Sequence, residues 1–359
     1  MLLEPAALGK FHLKNRMVMA AMTRSRAGKE GLVNELTKKY YTQRAGAGLI
    51  LSEAINISPQ AIGSPFTPGL FTHQQISAWK QVTDAVHEKG GLIFAQLWHT
   101  GRVGHSTDRY GRLPVAPSAI AIEGMKHFTS QGLKDYETPR ELTKDEIMQI
   151  IADYRQAALN AIEAGFDGVQ LHAANGYLPN QFLADSSNKR TDAYGGSIEN
   201  KSRFIVEVMQ TLIEAVGGER TGIKISPLNP YAGMVFDDPV ASYRHLLSEL
   251  DKLEFCFIEL SRRSRMHPLL EHYPQGDEME IFGKMTRHTI IANGGYTREA
   301  GEEELKKGIA RFISFGVNFL ANPDLPERFA LNAPLNQPDT ATFFGGSEKG
   351  YTDYAYYEN

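Results

Sequence analysis

The sequence predicts one (β/α)8 barrel of the TIM type, and three observations lead to this prediction. Eight short apolar runs recur along the 359 residues, as expected of parallel strands that are buried on both faces. Segments with a helical period lie between most of these runs. No Gly-x-Gly-x-x-Gly motif follows a run to open a helix, which disfavours the alternative of an open, doubly wound sheet.

The predicted elements follow one another in a regular order. Strands are expected at residues 17–22, 49–55, 92–99, 168–174, 222–226, 255–261, 289–294 and 311–316. Helices are expected at residues 34–47, 74–89, 143–164, 197–216 and 239–252. The third of these helices begins with the capping box Thr143-Lys-Asp-Glu146, and Gly90-Gly91 and Gly217-Gly218 are expected to end two others.

Three segments fall outside this alternation, although we assign all of residues 1–359 to a single domain. Residues 1–16 are expected to form a small hairpin that plugs the bottom of the barrel. Residues 100–142, after strand 3, are a long excursion rich in Gly, Pro, Ser and His; such long connections are usually functional, here as a capping subdomain. Residues 333–359 are an aromatic tail that packs on the barrel, contacts another subunit or lines a pocket.

Composition and charge exclude several classes of protein. The 38 Lys and Arg residues nearly balance the 42 Asp and Glu residues, so nothing favours binding to nucleic acid or to an anionic membrane. The one cysteine, Cys256, permits neither an intramolecular disulfide nor a thiolate zinc cage. No apolar run approaches a transmembrane helix, and the N-terminus is a poor secretory signal. These features predict a soluble, cytoplasmic protein with a small-molecule substrate, and they leave its oligomeric state open.

Polar residues and glycines cluster where the predicted strands end, which is where barrels of this type carry their active sites. The sequence places there Ala21, Met22 and Thr23 (strand 1), Gln96 and Trp98 (strand 3), Lys224 (strand 5), Asn293, Gly294 and Gly295 (strand 7), and Gly316 and Val317 (strand 8). Glycines after strands 7 and 8 bind phosphate through backbone N–H groups in many barrels, or they form ordinary turns. Together with the other polar strand ends, they favour a phosphorylated ligand or cofactor.

Strand 4 is followed by a His-x-x-Asn-x-Tyr pattern. His172 and Asn175 offer two hydrogen bonds to a carbonyl or nitro oxygen, and Tyr177 is a possible general acid. The alternative is structural, with a histidine that caps a strand and a tyrosine that packs. No His-Glu-x-x-His motif supports a metal site, and no Gly-x-Ser-x-Gly motif supports a serine nucleophile.

These motifs resemble those of the Old Yellow Enzyme family of FMN-dependent ene-reductases along essentially the whole chain. The matching stretches are Ala20-Ala-Met-Thr-Arg-Ser25, Gln96-Leu-Trp-His-Thr-Gly-Arg102, His172-Ala-Ala-Asn-Gly-Tyr-Leu178, Arg190-Thr-Asp-Ala-Tyr-Gly-Gly-Ser-Ile-Glu-Asn200, Asn293-Gly-Gly-Tyr296, Ala321-Asn-Pro-Asp-Leu325 and Gly345-Gly-Ser-Glu-Lys-Gly-Tyr-Thr-Asp-Tyr354. The tail motif is similar to that of the N-ethylmaleimide and nitrate-ester reductase branch.

The resemblance implies a cofactor, a reductant and a set of roles. FMN lies across the barrel mouth, with Thr23 at its C4 carbonyl, Gln96 at its pyrimidine edge and Lys224 near N1 and O2. The glycines after strands 7 and 8 (Gly294, Gly295 and Gly316) cradle its phosphate, and Ala21, Met22, Asn293 and Val317 are the other residues expected to lie at the cofactor. NADPH or NADH is the reductant. His172 and Asn175 hold the oxygen of an activated alkene, Tyr177 protonates its α-carbon, and Trp98 and Tyr351 line the substrate pocket.

The chain departs from the family pattern at several positions. The family usually carries arginine where Lys224 stands, and an arginine on the FMN phosphate where Val317 stands. Arg311 lies at the other end of strand 8, so it does not replace that contact. Ala21 and Ser64 stand where proline and tyrosine are expected, and Ser64 is expected to open the pocket or shift its substrate range.

The leading hypothesis is an FMN-dependent, NAD(P)H-driven ene-reductase acting on enones, enals, maleimides or nitroalkenes. Two alternatives remain because Lys224 and Val317 predict weaker flavin binding. One is a flavin-poor, redox-neutral isomerase that uses the acid–base pair around Tyr177. The other is a non-catalytic barrel that binds a ligand.

Overall fold

Eight parallel strands form a closed barrel in the computed structural model, which describes residues 1–264 and 266–358. The strands are β1 (Met17–Met19), β2 (Leu49–Asn56), β3 (Ile93–Trp98), β4 (Gly168–His172), β5 (Thr221–Ile225), β6 (Phe257–Ser261), β7 (Ile290–Asn293) and β8 (Ala310–Phe315). Phe315 of β8 pairs with Met19 of β1, which closes the barrel. The predicted fold class is confirmed, and all eight predicted strands are present with small differences at their ends.

Helices surround the barrel on its outer face. They are α1 (Glu35–Gln43), α2 (His73–Glu88), α3 (Lys144–Glu163), α4 (Leu178–Leu183), α5 (Ile198–Val216), α6 (Pro239–Leu250), α7 (Glu278–Phe282), α8 (Arg298–Lys306), α9 (Val317–Ala321) and α10 (Leu325–Leu331). The capping box at Thr143 is confirmed, with its side chain accepting from the Glu146 N–H. Gly90 and Gly217 follow α2 and α5 with φ of +67° and +92°, a conformation that favours glycine and ends each helix.

A short antiparallel hairpin covers the bottom of the barrel. Its strands, Ala6–Leu8 and Phe11–Leu13, meet at a turn in which Gly9 has a φ of +55°. Leu8 and Leu13 belong to a buried apolar cluster with residues from the N-terminal ends of the barrel strands, among them Phe94, Cys256 and Phe257. The predicted barrel plug is therefore confirmed, and its apolar side chains fill the floor.

The excursion after β3 folds over the opposite end of the barrel. Its residues Val115–Ala116 pair with Arg140–Glu141 just before α3. Between them, Lys126–Thr129 and Gly132–Asp135 form an antiparallel hairpin. His127 anchors this hairpin to the barrel, with its Nε2 atom 2.6 Å from the Gly63 carbonyl oxygen.

The C-terminal tail is bound to the end of β1 by two arginines. Arg24 donates to the carbonyl oxygens of Phe343 (3.0 Å) and Gly350 (2.8 Å), and Arg26 donates to that of Thr342 (2.9 Å). The tail therefore runs along the mouth of the barrel next to the predicted site residue Thr23. Among the helices in the described part of the chain, none is long and apolar enough to cross a membrane.

Candidate active site

Three aromatic side chains meet at the mouth of the barrel. The Tyr177 ring lies edge-on to both Trp98 and His172, with centroid distances of 4.7 Å in each case. The Trp98 and His172 rings are nearly parallel, 6.4 Å apart. Trp98 is held by a hydrogen bond from its Nε1 to Asn56 Oδ1 (2.7 Å). The structure thus brings together three of the predicted site residues, which come from β3 and from the end of β4.

His172 is arranged as a neutral hydrogen-bond donor. Its Nδ1 accepts a hydrogen bond from the Ala174 N–H (3.4 Å), so the ring proton lies on Nε2. Burial, and the positive charge of Lys224, which is its register partner on β5, hold the pKa of His172 well below its ordinary value. A neutral imidazole with a proton on Nε2 can donate to an oxygen without carrying a charge.

Tyr177 keeps its proton because its hydroxyl group is buried. Burial, with smaller contributions from the nearby Tyr231 and Tyr136, raises the pKa of Tyr177 well above its ordinary value. The phenol is therefore fully protonated near neutral pH and is suited to give up its proton only to a strong base, such as a carbanion that forms next to it.

A cavity of about 460 Å³ opens above this aromatic cluster. We call it the reaction cavity, and its walls come from several parts of the chain. They include Thr23 from the segment after β1, Ser64 from the segment after β2, Trp98 and Tyr177 from the cluster, Lys126, Phe128, Leu133 and Tyr136 from the excursion, Tyr231 from the segment after β5, and Phe344 from the tail. The excursion therefore forms one wall of the site.

A belt of buried polar side chains crosses the barrel below the cluster. Gln96 Nε2 donates to Gln170 Oε1 (2.7 Å), and Gln170 Nε2 donates to Glu259 Oε2 (2.9 Å). Lys224 Nζ donates to Glu259 Oε1 (3.3 Å), and the Ser314 hydroxyl donates to the same oxygen (2.9 Å). Lys224 and Glu259 are register partners on β5 and β6, with side chains 6% and 0% exposed. Gln96 and Lys224 are thus joined through a carboxylate that the sequence analysis missed.

Glycines follow the ends of β7 and β8, the strands that carry Asn293 and Ser314. Asn293 is tied to β8 by a hydrogen bond from its Nδ2 to the Ser314 hydroxyl (3.2 Å). Gly295 has a φ of +72°, and a Cβ added there would have no heavy atom within 4 Å, so its backbone faces open space. A Cβ added at Gly316 would lie 3.6 Å from Met22 Sδ, which places Met22 next to the end of β8. Val317 is 45% exposed and supplies no hydrogen-bond donor from its side chain.

Two other predicted site residues are placed on the rim of this arrangement. Asn175 has a φ of +54°, and its Oδ1 accepts from Asn229 Nδ2 (2.9 Å), which leaves its own Nδ2 as a donor for another oxygen. Ala21, between β1 and Met22, is half-buried and packs against buried apolar residues inside the barrel. Neither residue is among those that line the reaction cavity.

The predicted position of Tyr351 in the wall of the substrate pocket is wrong. Tyr351 is fully buried, and its ring stacks on that of Tyr40 of α1 with the centroids 4.3 Å apart. The guanidinium groups of Arg24 and Arg26 lie over its ring at 5.1 and 4.5 Å. These cation–π contacts fix the tail, and the residue that the tail contributes to the cavity is Phe344.

The structure also places in the site several residues that the sequence did not single out. Glu259 stood in an otherwise apolar predicted strand, and an acidic residue in such a strand is a signal for a buried pair. Gln170 likewise interrupted strand 4. Tyr136 and Tyr231 gave no comparable signal, because their approach to Tyr177 depends on how two long connections fold.

The residues of the belt and of the glycine turns fit a flavin mononucleotide. Gln96 and Lys224 supply an amide and an ammonium group of the kind that bind the pyrimidine edge of a flavin, and Thr23 lies on the same rim. The open backbone at Gly295 is suited to a phosphate. The described residues therefore offer groups for both ends of that molecule.

Comparisons with known proteins extend this picture. Residues 1–336 match the model of the NADH:flavin oxidoreductase / NADH oxidase family. A putative 12-oxophytodienoate reductase 4 of Oryza sativa is 44% identical over 99% of this chain and 93% of its own length. The flavin oxidoreductase hxnT of Emericella nidulans is 41% identical over 99% of this chain and 97% of its own.

Solved structures agree with these sequence matches. Morphinone reductase superposes with a TM-score of 0.95 at 45% identity, covering 100% of this chain and 96% of that one. An Old Yellow Enzyme homologue from Zymomonas mobilis superposes with a TM-score of 0.94 at 41% identity, covering 99% of each chain. A morphinone reductase structure in complex with tetrahydroNAD superposes with a TM-score of 0.93 at 46% identity over 100% of this chain and 98% of that one.

Proposed function

The chain belongs to the NADH:flavin oxidoreductase / NADH oxidase family, the family of Old Yellow Enzyme, and from that premise we propose that it is an FMN-dependent ene-reductase. It is a flavin oxidoreductase that uses a nicotinamide reductant, and the proposal concerns its cofactor form, substrates and residue roles. The observation that carries it is the convergence of Trp98, His172 and Tyr177 directly above the Gln96–Lys224 belt.

The chain holds FMN through both ends of the molecule in this proposal. Gln96 and Lys224 bind the pyrimidine edge, and Thr23 binds the C4 carbonyl. The backbone N–H groups around Gly294, Gly295, Gly316 and Val317, next to Asn293, bind the phosphate, while Ala21 and Met22 support the ring from the end of β1. When bound, FMN would supply the chemistry of hydride transfer between the nicotinamide and the β-carbon of the alkene.

His172 and Asn175 polarise the substrate. The Nε2–H of His172 and the Nδ2 of Asn175 donate to the carbonyl or nitro oxygen, where negative charge grows as the alkene accepts hydride. Because His172 is neutral and its tautomer is fixed by Ala174, this donor needs no proton uptake before it acts.

Tyr177 completes the addition by giving its hydroxyl proton to the α-carbon. The raised pKa of Tyr177 keeps that proton on the phenol until a carbanion is beside it. Trp98 forms the wall against which the substrate lies. The excursion of residues 100–142 acts as the cap that excludes water from the cavity.

The substrates proposed are enones, enals, maleimides and nitroalkenes, with NADPH or NADH as the reductant. Two relatives are named as reductases of 12-oxophytodienoate and of morphinone, and both names denote ketones, which agrees with this substrate class. Nicotinamide and alkene use the reaction cavity in turn, because both must approach the same face.

A visible absorption spectrum tests the proposal. The purified protein is mixed with excess FMN and desalted, and we expect a retained flavin spectrum that NADPH or NADH bleaches and an enone restores. A protein that refuses FMN would overturn the proposal. Isomerisation of an unsaturated ketone without nicotinamide would then identify Tyr177 as part of a redox-neutral site, which is the alternative that Val317 and Lys224 favour.

A further inference from the structure

A second cavity lies beside the reaction cavity, and the two share one wall residue, Ser64. The second cavity has a volume of about 510 Å³. Its lining is apolar at Leu32, from the segment after β1, and at Pro65, Phe66 and Phe71, from the segment between β2 and α2. Polar and charged side chains complete the lining, among them Lys29, Glu30, Gln75 and Asp108. Nothing in the chemistry described above uses this space.

The backbone of the partition between the two cavities is fixed by hydrogen bonds. The Gly63 carbonyl faces His127, Thr67 Oγ1 donates to the Ser64 carbonyl oxygen (2.9 Å), and Asn56 Nδ2 donates to Thr67 Oγ1 (2.9 Å). Because the backbone is held on both sides, the height of the partition depends on the side chain at position 64. Serine places only a hydroxymethyl group there.

Large apolar side chains surround the mouths of both cavities. Phe66 and Tyr110 lie at the second cavity, and Phe128, Leu133 and Phe344 lie at the reaction cavity. These five side chains are 47–79% exposed. Phe66 has a backbone φ of +57°, a conformation that is unfavourable for a residue with a side chain. Exposed apolar side chains at a cavity mouth are typical of a site that binds apolar ligands.

We propose that the second cavity is a subsite for the apolar tail of the substrate, so that the natural substrates are activated alkenes carrying a long, uncharged hydrocarbon chain. This inference rests on the proposed function, because the head of the substrate is taken to lie at His172 and Tyr177. The hydrocarbon chain of the substrate then passes over Ser64 and lies between Leu32 and Phe71. A bulky side chain at position 64 would close this passage.

The length of the hydrocarbon chain of the substrate is the variable that tests the subsite. We expect kcat/KM for straight-chain 2-enals to rise about two- to fourfold for each methylene that passes Ser64, as burial of a methylene predicts. The rise should appear mainly in KM, because the tail binds equally in the ground and transition states. In Ser64→Phe the dependence on chain length should be lost for the longer members.

Three further variants test whether the effect of chain length on kcat/KM depends on the second cavity. Ser64→Ala keeps the passage open and should retain the native slope. Leu32→Asp replaces an apolar lining residue with a charged one and should flatten the slope while position 64 is unchanged. Leu331→Asp is the matched control, because Leu331 is half-exposed on α10 and lines neither cavity.

Binding of para-alkylphenols tests the subsite independently of the proposed reaction. Calorimetry on the protein as purified measures their affinity, with or without flavin and with no turnover. A chain-length dependence that Ser64→Phe and Leu32→Asp remove supports the subsite, even if no enal is reduced and the proposed function fails. Equal slopes in the native protein and in both variants overturn it, even if short enals are reduced.

Discussion

Glu259→Gln is expected to cost a large part of the stability of the protein, because it leaves the Lys224 ammonium buried without a counter-charge. The substitution keeps the size of the side chain, and its carbonyl oxygen still accepts from Gln170 or Ser314. Only the charge is removed. Both partners are almost fully buried, so water does not replace the lost interaction.

The magnitude follows from the separation of 3.3 Å between Lys224 Nζ and Glu259 Oε1. Two unit charges at that distance attract by about 5 kcal/mol at an effective dielectric constant of about 20. The desolvation of Glu259 offsets part of this, so we expect the free energy of unfolding to fall by about 3 kcal/mol. Lys224→Met leaves the opposite charge buried and should cost a similar amount.

The double variant tests whether the loss of the Lys224–Glu259 ion pair causes the fall in the free energy of unfolding. Urea unfolding of the native protein, the two single variants and Lys224→Met/Glu259→Gln forms a double-mutant cycle. Because the double variant buries no charge, it should be more stable than the sum of the single losses predicts, with a coupling energy of at least about 2 kcal/mol. Additive losses would refute the reasoning, since they would mean that the two charges do not stabilise each other.

An exposed pair provides the matched control. Lys80 and Asp84 on α2 are 2.8 Å apart, closer than the buried pair, but their side chains are 55% and 52% exposed. Asp84→Asn should change the free energy of unfolding by no more than about 0.5 kcal/mol. If Asp84→Asn lowered the free energy of unfolding as much as Glu259→Gln does, burial would not explain the contribution of the Lys224–Glu259 pair.

Three further predictions concern the site, and a fourth concerns Glu53, a buried carboxyl on β2 that accepts a hydrogen bond from the Arg24 N–H (3.2 Å). Tyr177→Phe should leave the bleaching of bound flavin by NADPH unchanged and slow its return with an enone in stopped-flow absorbance; equal rates in both steps would remove Tyr177 as the proton donor. His172→Ala with Asn175→Ala should weaken phenol binding about tenfold, because two hydrogen bonds are lost, and undiminished affinity in calorimetry would exclude the pair from binding oxygen. Val317→Arg should slow FMN dissociation about tenfold or more through a charged phosphate contact; an unchanged rate would show that position 317 does not face the phosphate. Burial raises the pKa of Glu53 from about 4.5 to about 7, so the native state binds the proton more tightly and this carboxyl destabilises the fold as pH rises between those values. Glu53→Gln should therefore gain up to about 3 kcal/mol above pH 7 and nothing below about pH 4.5, and a gain that does not vary with pH in urea unfolding would contradict this.

The fold could be predicted from the sequence because its signals are local. Each barrel strand is an apolar run, and the ends of α2, α3 and α5 are marked by Gly90, Thr143 and Gly217. The floor hairpin was predicted for the same reason. Such signals depend on a few neighbouring residues, so they survive without knowledge of the tertiary structure.

The site could be predicted only in part. Trp98, His172 and Tyr177 were found because strand ends of a barrel meet at one mouth. Glu259 was missed because its partner, Lys224, is 35 positions away and is identified only by the register of β5 and β6. The choice between Tyr351 and Phe344 depended on how the tail turns over Arg24, which no local pattern encodes.

The barrel floor contains a reporter of its own opening. Cys256 is the one cysteine of the chain. It lies under the N-terminal hairpin, where a Cβ added at Gly9 would come within 3.0 Å of its Sγ atom, and burial raises the pKa of this thiol to about 12. We therefore expect a thiol reagent to react with Cys256 when the hairpin lifts away. The labelling rate in the native protein would then report the free energy of that local unfolding, separately from the unfolding of the barrel.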